Sequence, residues 1–292
     1  MAAKLIKGGE ISKQIREEIT REIEELKAKH GVTPGLATIL VGEDPGSKVY
    51  VGQKEKACNN LGIYSARTDL PADTSEADLL DLVNKLNDDP KIHGILVQLP
   101  LPKHIDATRV IYAIDPDKDV DCFHPVNVGK LMIGTARFLP CTPHGIVELL
   151  RRSDVATEGK HVVVVGRSNI VGKPVANLML QPPPGGNATV TLCHRATKDL
   201  ATYTRMADIL IVAVGNPKTI TGDMVKEGVV VIDVGVNRLG KTPEGKAILA
   251  GDVDFDAVQE KASAITPVPG GVGPMTITML MKNAVQAAKA TI

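Results

Sequence analysis

Two groups of residues have types and spacing suited to chemistry. The first is Gly166-Arg167-Ser168-Asn169-Ile170-Val171-Gly172, which follows the run His161-Val162-Val163-Val164-Val165 and leads into Lys173-Pro174. A glycine-punctuated turn from a β-branched strand into a helix presents backbone N–H groups and the positive end of a helix dipole, which is the chemistry of a phosphate site. Its pattern is G-x-S-x-x-x-G rather than the G-x-G-x-x-G of most dinucleotide folds. At the end of the next strand, where a carboxylate would hold a ribose 2′-hydroxyl, the chain instead carries Cys193-His194-Arg195. A cation there suits a 2′-phosphate, so NADP is favoured over NAD.

The second group lies in the N-terminal half. Tyr50 and Lys54 are one helical turn apart and share a face. Gln98 precedes Leu99-Pro100-Leu101-Pro102, and Asp115, Asp117, Asp119 and Asp121 crowd one loop around Lys118. A surface pair is the plain alternative for Tyr50 and Lys54. A Y-x-x-x-K also occurs in short-chain dehydrogenases, but there it follows the nucleotide-binding turn, whereas here it precedes it. The aspartates make either an acidic turn or a cation site. They lack EF-hand spacing and histidine partners, so no metal is expected. Cys58, Cys122, Cys141 and Cys193 form no C-x-x-C pair and read as buried, reduced thiols.

The elements that must hold these residues alternate strand and helix, which predicts an α/β fold of two lobes, the second Rossmann-like with a mainly parallel sheet. Strands are expected over 36–41, 63–70, 93–98, 161–165, 188–192, 207–214 and 228–234. Helices are expected over 10–29, from Ser47 as N-cap to a stop at Gly62, over 75–87, 105–113, 142–152 and 275–290. Residues 115–124 and 181–187 read as loops. Ligands of such sheets meet the loops after the strands, and two lobes would place the reaction in the cleft between them. The 292 residues are 43% apolar but only 2% aromatic, with no tryptophan, so the core must be aliphatic. Lysine plus arginine equals aspartate plus glutamate at 34 each, which leaves no global field to recruit nucleic acid or an anionic membrane. No apolar run approaches membrane-spanning length and the N-terminus lacks a signal core, so a cytoplasmic location is expected.

Taken in order, Tyr50-x-x-x-Lys54, Gly94-Ile95-Leu96-Val97-Gln98-Leu99-Pro100-Leu101-Pro102, Lys118-Asp119-Val120-Asp121, Pro140-Cys141-Thr142-Pro143, Val165-Gly166-Arg167-Ser168-x-x-Val171-Gly172 and Thr266-Pro267-Val268-Pro269-Gly270-Gly271-Val272-Gly273-Pro274-Met275-Thr276 closely resemble the bifunctional methylenetetrahydrofolate dehydrogenase/cyclohydrolase family, end to end. The resemblance implies NADP-linked oxidation of 5,10-methylenetetrahydrofolate to the methenyl cation, then hydrolysis to 10-formyltetrahydrofolate, within one-carbon supply to purine, methionine and histidine biosynthesis. It implies Lys54 as the proton-transfer group, its pKa lowered by burial or a nearby positive charge. Gln98 would orient Lys54, Tyr50 would pack along the folate, and Asp121 would bind the pterin. Pro269, Gly270 and Gly271 would wall the substrate. Gly166, Arg167 and Ser168 would meet the phosphates and ribose, Arg195 the 2′-phosphate, and backbone at Gly215 and Ile232 the nicotinamide side. The family also implies a folate-binding domain at 1–143 completed by 270–292, an NADP-binding domain at 144–269, and a homodimer. Two departures stand out: 181–187 adds residues before the second strand of the cofactor domain, and Cys122-Phe123-His124 replaces small residues, typically glycine first, after Asp121.

Overall fold

The computed structural model describes residues 3–242, 245 and 247–292. The chain runs β1 (Lys4–Leu5), α1 (Gly8–His30), β2 (Gly35–Val41), α2 (Pro45–Leu61), β3 (Tyr64–Leu70), α3 (Glu76–Asp88) and β4 (Gly94–Val97). It continues through α4 (Ala107–Ala113), α5 (Pro125–Met132), α6 (Cys141–Arg152), β5 (His161–Val165), α7 (Gly172–Leu180), β6 (Thr189–Cys193), α8 (Leu200–Thr204) and β7 (Ile209–Val212). It ends with β8 (Val230–Asp233), β9 (Asn237–Lys241), β10 (Ala247–Ala250), α9 (Phe255–Gln259), β11 (Ala264–Ile265) and α10 (Gly273–Lys289). Two compact units result: Gln14–Cys141 with Ile277–Ile292, and Thr142–Thr276 with the residues up to Lys13.

The first unit holds a three-stranded parallel sheet ordered β3-β2-β4. All seven residues of the central strand β2 are buried, as a near-continuous apolar run requires when both faces are covered. Ile39, Ile95 and Val97 pack there with Leu79 and Val83 of α3 and Val110 of α4. The N-cap of α2 is Asp44, whose carboxylate accepts from the Ser47 N–H at 2.7 Å, so Ser47 donates to the cap that its own side chain was expected to form. Asp44 wins because Pro45 fixes the first helical position behind it, and a carboxylate favours the positive helix end. Gly62 stops α2 as expected, in the left-handed conformation at φ 75°.

The second unit contains a six-stranded parallel sheet ordered β1-β11-β8-β7-β5-β6, with the antiparallel hairpin β9–β10 beside it in sequence. Four of the five residues of β5 are buried. Val163 and Val165 pack with Leu210 and Val212 of β7, Val231 of β8 and Ile265 of β11. The expected strands 188–192, 207–214 and 228–234 appear as β6, β7 and β8, each trimmed or shifted at its ends. The first residues of the chain join this unit because β1 pairs in parallel with β11, Lys4 opposite Ala264 and Leu5 opposite Ile265.

Candidate active site

In the first unit, α2 and the end of β4 bring together the side chains that the sequence singled out. Lys54 Nζ donates to Gln98 Oε1 at 3.0 Å. The other end of the same amide, Gln98 Nε2, donates to the Leu99 carbonyl at 2.7 Å. That second bond fixes which face of the amide is oxygen, so Lys54 always meets an acceptor. Gln98 itself is placed by its backbone N–H, which donates to the Ile39 carbonyl at 2.9 Å and continues the β2–β4 ladder past the strand end. Tyr50, one turn before Lys54, leaves 47% of its surface exposed, an available apolar face beside the amine.

Asp121 completes this cluster. Desolvation is the main influence on its carboxyl and pushes it above the usual aspartate value, against an attractive interaction with Lys54. The charge coupled to Lys54 is thus a carboxylate, opposite in sign to the positive neighbour entertained from sequence. Cys141 Sγ donates to Asp121 Oδ1 at 3.6 Å, and burial holds the Cys141 thiol protonated by raising it well above its ordinary value.

The loop carrying Asp121 is pinned at each residue before it. Lys118 Nζ donates to the Leu86 and Asp89 carbonyls at 3.0 and 2.9 Å, closing the C-terminal end of α3. The Lys118 carbonyl accepts from the Ile95 N–H at 2.8 Å, and Asp119 forms a parallel bridge with Ile95, so the loop runs as an extra rung beside β4. The buried Asp119 carboxylate accepts from the Phe123 and His124 N–H groups and from Asn127 Nδ2, which ties the loop to the start of α5. Val120 is held through its carbonyl, which accepts from Asn283 Nδ2 of α10 at 2.7 Å. Cys122 then adopts φ 62°, a conformation glycine takes without strain. Cysteine is accommodated because its buried thiol donates to the Phe138 carbonyl at 3.3 Å. The departure at this position therefore has a local physical basis. The sequence marked Asp119 only as part of a motif and gave no signal for Asn283, whose partners are carbonyls distant in the chain.

In the second unit, the turn after β5 is shaped by contacts that exclude side chains. Gly166 sits at φ 121°, and a Cβ there would lie 2.1 Å from the Ala213 carbonyl oxygen. A Cβ at Gly172 would lie 1.9 Å from the Gly166 carbonyl oxygen. The two glycines thus let the turn close on itself and against the end of β7. Ser168 Oγ accepts from the Val171 and Gly172 N–H groups at 3.1 and 3.3 Å, and Pro174 falls in the first turn of α7. Arg167 and Arg195 are exposed, Arg195 in the turn directly after β6. The insertion at 181–187 folds back on α7, with the Gly186, Asn187 and Ala188 N–H groups donating to Leu178, Gln181 and Met179 carbonyls. Gly215 is exposed in the loop after β7, whereas Ile232 is fully buried within β8, opposite Ile211 of β7.

Pro269, Gly270 and Gly271 also belong to this unit. The Gly270 carbonyl accepts from the Gly9 N–H at 3.3 Å, and a Cβ at Gly8 would lie 1.8 Å from the Gly271 carbonyl oxygen. The glycine-rich loop is therefore seated on the first turn of α1 while Pro269 and Gly270 stay exposed. Among the described residues, no group of three or more metal-ligating side chains is assembled.

The chain is similar to known proteins along both halves. Residues 6–121 match the family model "Tetrahydrofolate dehydrogenase/cyclohydrolase, catalytic domain", and residues 140–292 match "Tetrahydrofolate dehydrogenase/cyclohydrolase, NAD(P)-binding domain". The bifunctional protein FolD of Syntrophus aciditrophicus (strain SB) is 64% identical over 289 residues, covering 99% of this chain and 98% of that relative. Among solved structures, the bifunctional enzyme FolD of Campylobacter jejuni superposes with a TM-score of 0.93 at 49% identity and full coverage of both chains. The methylenetetrahydrofolate dehydrogenase-cyclohydrolase of Trypanosoma brucei, complexed with NADP cofactor and an inhibitor, gives a TM-score of 0.93 at 41% identity over 100% of this chain and 99% of that one. With both halves matched and near-complete coverage, the chain belongs to the tetrahydrofolate dehydrogenase/cyclohydrolase family.

Proposed function

We infer that the enzyme oxidises 5,10-methylenetetrahydrofolate with NADP and hydrolyses the resulting methenyl cation to 10-formyltetrahydrofolate, using two separate sets of residues. When bound, NADP supplies the acceptor for the hydride that leaves the methylene carbon. That first step depends on alignment, so the protein's part is to hold both reactants. Asp121 accepts hydrogen bonds from the pterin's amino and ring N–H groups, and Tyr50 lies along the folate. The second step moves protons. Water adds to the methenyl carbon, and Lys54 takes the proton released and returns it to the ring nitrogen. The bond to that nitrogen breaks as the hydroxyl oxygen loses its proton to solvent, leaving the formyl group on the neighbouring nitrogen. Gln98 orients Lys54 throughout. The observation that carries this reading is the Lys54–Gln98 hydrogen bond at 3.0 Å, made inside a unit that also presents the Asp121 carboxylate.

The turn at Gly166 supports a dinucleotide reading, because it leads from a buried parallel strand into the N-terminal end of α7 and carries the exposed Arg167, while Arg195 is exposed after the neighbouring strand β6. Arg167 and Ser168 serve the phosphates and ribose, Arg195 the 2′-phosphate, and Gly215 with the Ile232 backbone the nicotinamide. Pro269, Gly270 and Gly271 form the substrate-side wall. Folate chemistry falls to the unit of Gln14–Cys141 with Ile277–Ile292, joined by the 269–271 wall, and cofactor binding to the unit of Thr142–Thr276. The enzyme acts as a cytoplasmic homodimer in folate one-carbon supply to purine, methionine and histidine biosynthesis. β6, an edge strand with Leu192 38% exposed, supports association through the cofactor unit, and light scattering that finds only monomer would refute it.

An assay with methylenetetrahydrofolate tests the activity, with reduced cofactor, methenyl and formyl products separated by chromatography of unacidified samples. The expected result is reduced NADP without lasting methenyl product. Stoichiometric methenyl accumulation would leave a dehydrogenase alone.

A further inference from the structure

Two buried carboxylates outside both sets of residues are joined in a reciprocal lock at the end of the cofactor unit's sheet. Asp252 is 0% exposed and Asp233 3% exposed. Asp252 Oδ2 accepts from the Val214 and Gly215 N–H groups at 2.7 and 2.9 Å, and Oδ1 accepts from the Asn216 N–H at 3.0 Å and from Asn237 Nδ2 at 2.8 Å. Three consecutive amides of the loop after β7 therefore converge on one carboxylate. Asp233, the last residue of β8, holds that carboxylate's own backbone: its Oδ1 accepts from the Asp252 and Gly235 N–H groups at 2.9 Å each, and its Oδ2 from Val253 at 3.0 Å.

Each carboxylate needs a glycine opposite it. A Cβ at Gly235 would lie 2.2 Å from Asp252 Oδ1, and one at Gly251 would lie 1.8 Å from Asp233 Oδ2. The segments Asp233-Val234-Gly235 and Gly251-Asp252 thus interlock by exchanging a carboxylate for a bare Cα. Burial pushes the Asp233 carboxyl up to about 6 despite its three N–H donors, so this network is maintained against a real desolvation penalty. A loop needing only to connect β7 to the next segment would not require it.

We propose that Asp252 is a positioning residue for cofactor binding: its carboxylate sets the conformation of Val214-Gly215-Asn216, and Asp233 sets Asp252. The inference rests on the reading that this loop lines the nicotinamide side. Turning three amides inward to a single side chain fixes the outward faces of the same peptides, which present the surface a planar ring meets. Hydrogen bonds to an ionised group are the strong ones, so losing the charge loosens the turn rather than merely weakening it.

The test compares Asp252→Asn with wild type by calorimetric titration of NADP and by hydrogen exchange of residues 214–216. Asparagine keeps the shape but turns an amide NH2 toward backbone N–H donors. NADP affinity should fall roughly tenfold or more, with faster exchange at 214–216. Hydrolysis of supplied methenyltetrahydrofolate needs no NADP and reports the amount of folded enzyme. Asn237→Ala, which removes one donor to Oδ1 together with a longer bond to the Ala250 carbonyl, should shift NADP affinity in the same direction by less, and it decides the question if Asp252→Asn does not fold. Unchanged NADP affinity, or affinity and hydrolysis falling in proportion, would overturn the positioning role. Failure of NADP to protect 214–216 in wild type would instead overturn the underlying placement of the nicotinamide.

Discussion

Asp121 must be ionised to accept hydrogen bonds from a pterin, yet burial holds its carboxyl above the ordinary aspartate value. Raising a carboxyl enlarges its protonated fraction at any given acidic pH. Folate affinity should therefore weaken on acidification sooner than an exposed aspartate would dictate. KM for methylenetetrahydrofolate measured against pH should rise with a midpoint above about 3.9, while Asp121→Asn shows a weaker, flat KM. A wild-type midpoint at or below that value would contradict the assignment. Arg195 is argued at the same scale: Arg195→Ala should raise the KM for NADP roughly tenfold and leave that for NAD nearly unchanged. An unaltered ratio would pass the 2′-phosphate to Arg167. These residues are legible in the sequence because their types are unusual for their places, an arginine where a carboxylate is expected and a glutamine before a proline-rich turn. Asp119, Asp252 and Asn283 are not. Asp252 and Asn283 speak to backbone groups distant in the chain, where neither end of the bond has a spacing to recognise, and Asp119 caps its own loop inside a run of similar aspartates that gives it no distinguishing mark.

At the scale of elements, α10 anchors the loop that carries Asp121 through one side chain. Asn283, 1% exposed, donates to the Val120 and Leu139 carbonyls at 2.7 and 2.9 Å. Asn283→Ala removes the amide donor from two carbonyls and leaves Val120 with only the weak Cys141 thiol, so it should lower stability by about 1–3 kcal/mol, read by urea unfolding. Its KM for folate should rise more than kcat falls, because Asp121 is one residue from Val120. Unchanged stability and KM would show that the loop is held by Lys118 and Asp119 alone. The long elements are readable because their patterns are strong: four valines in β5, and isoleucines at helical spacing in α1. What escapes is short or unpatterned. β1 and β11 have two residues each and are strands only through pairing, β11 with β8 and β1 with β11, and the β9–β10 hairpin has no clean alternation of apolar and polar residues. α5 follows the acidic loop without an apolar run long enough to announce it, and is set instead by His124 as N-cap and Pro125 at its first position.

Over the whole molecule, the two sheets explain how a chain with 2% aromatic residues builds its cores: valine, isoleucine and leucine fill parallel strands buried on both faces. The division into units is legible near Thr142, where the sequence turns from acidic loop to helix. It is not legible near Lys13 or Thr276, because both fall inside continuous helices, α1 and α10, whose periodicity carries straight through. The first unit holds Tyr50, Lys54, Gln98 and Asp121; the second holds the glycine turn, Arg195 and the Asp233–Asp252 lock. The central claim is that only hydrolysis needs the Lys54 amine. The direct measurement is Lys54→Met assayed with methylenetetrahydrofolate and NADP, the products being separated by chromatography of samples kept at neutral pH. Reduced NADP accompanied by an equal amount of accumulated methenyltetrahydrofolate is the predicted result, and loss of hydride transfer and hydrolysis together would contradict it.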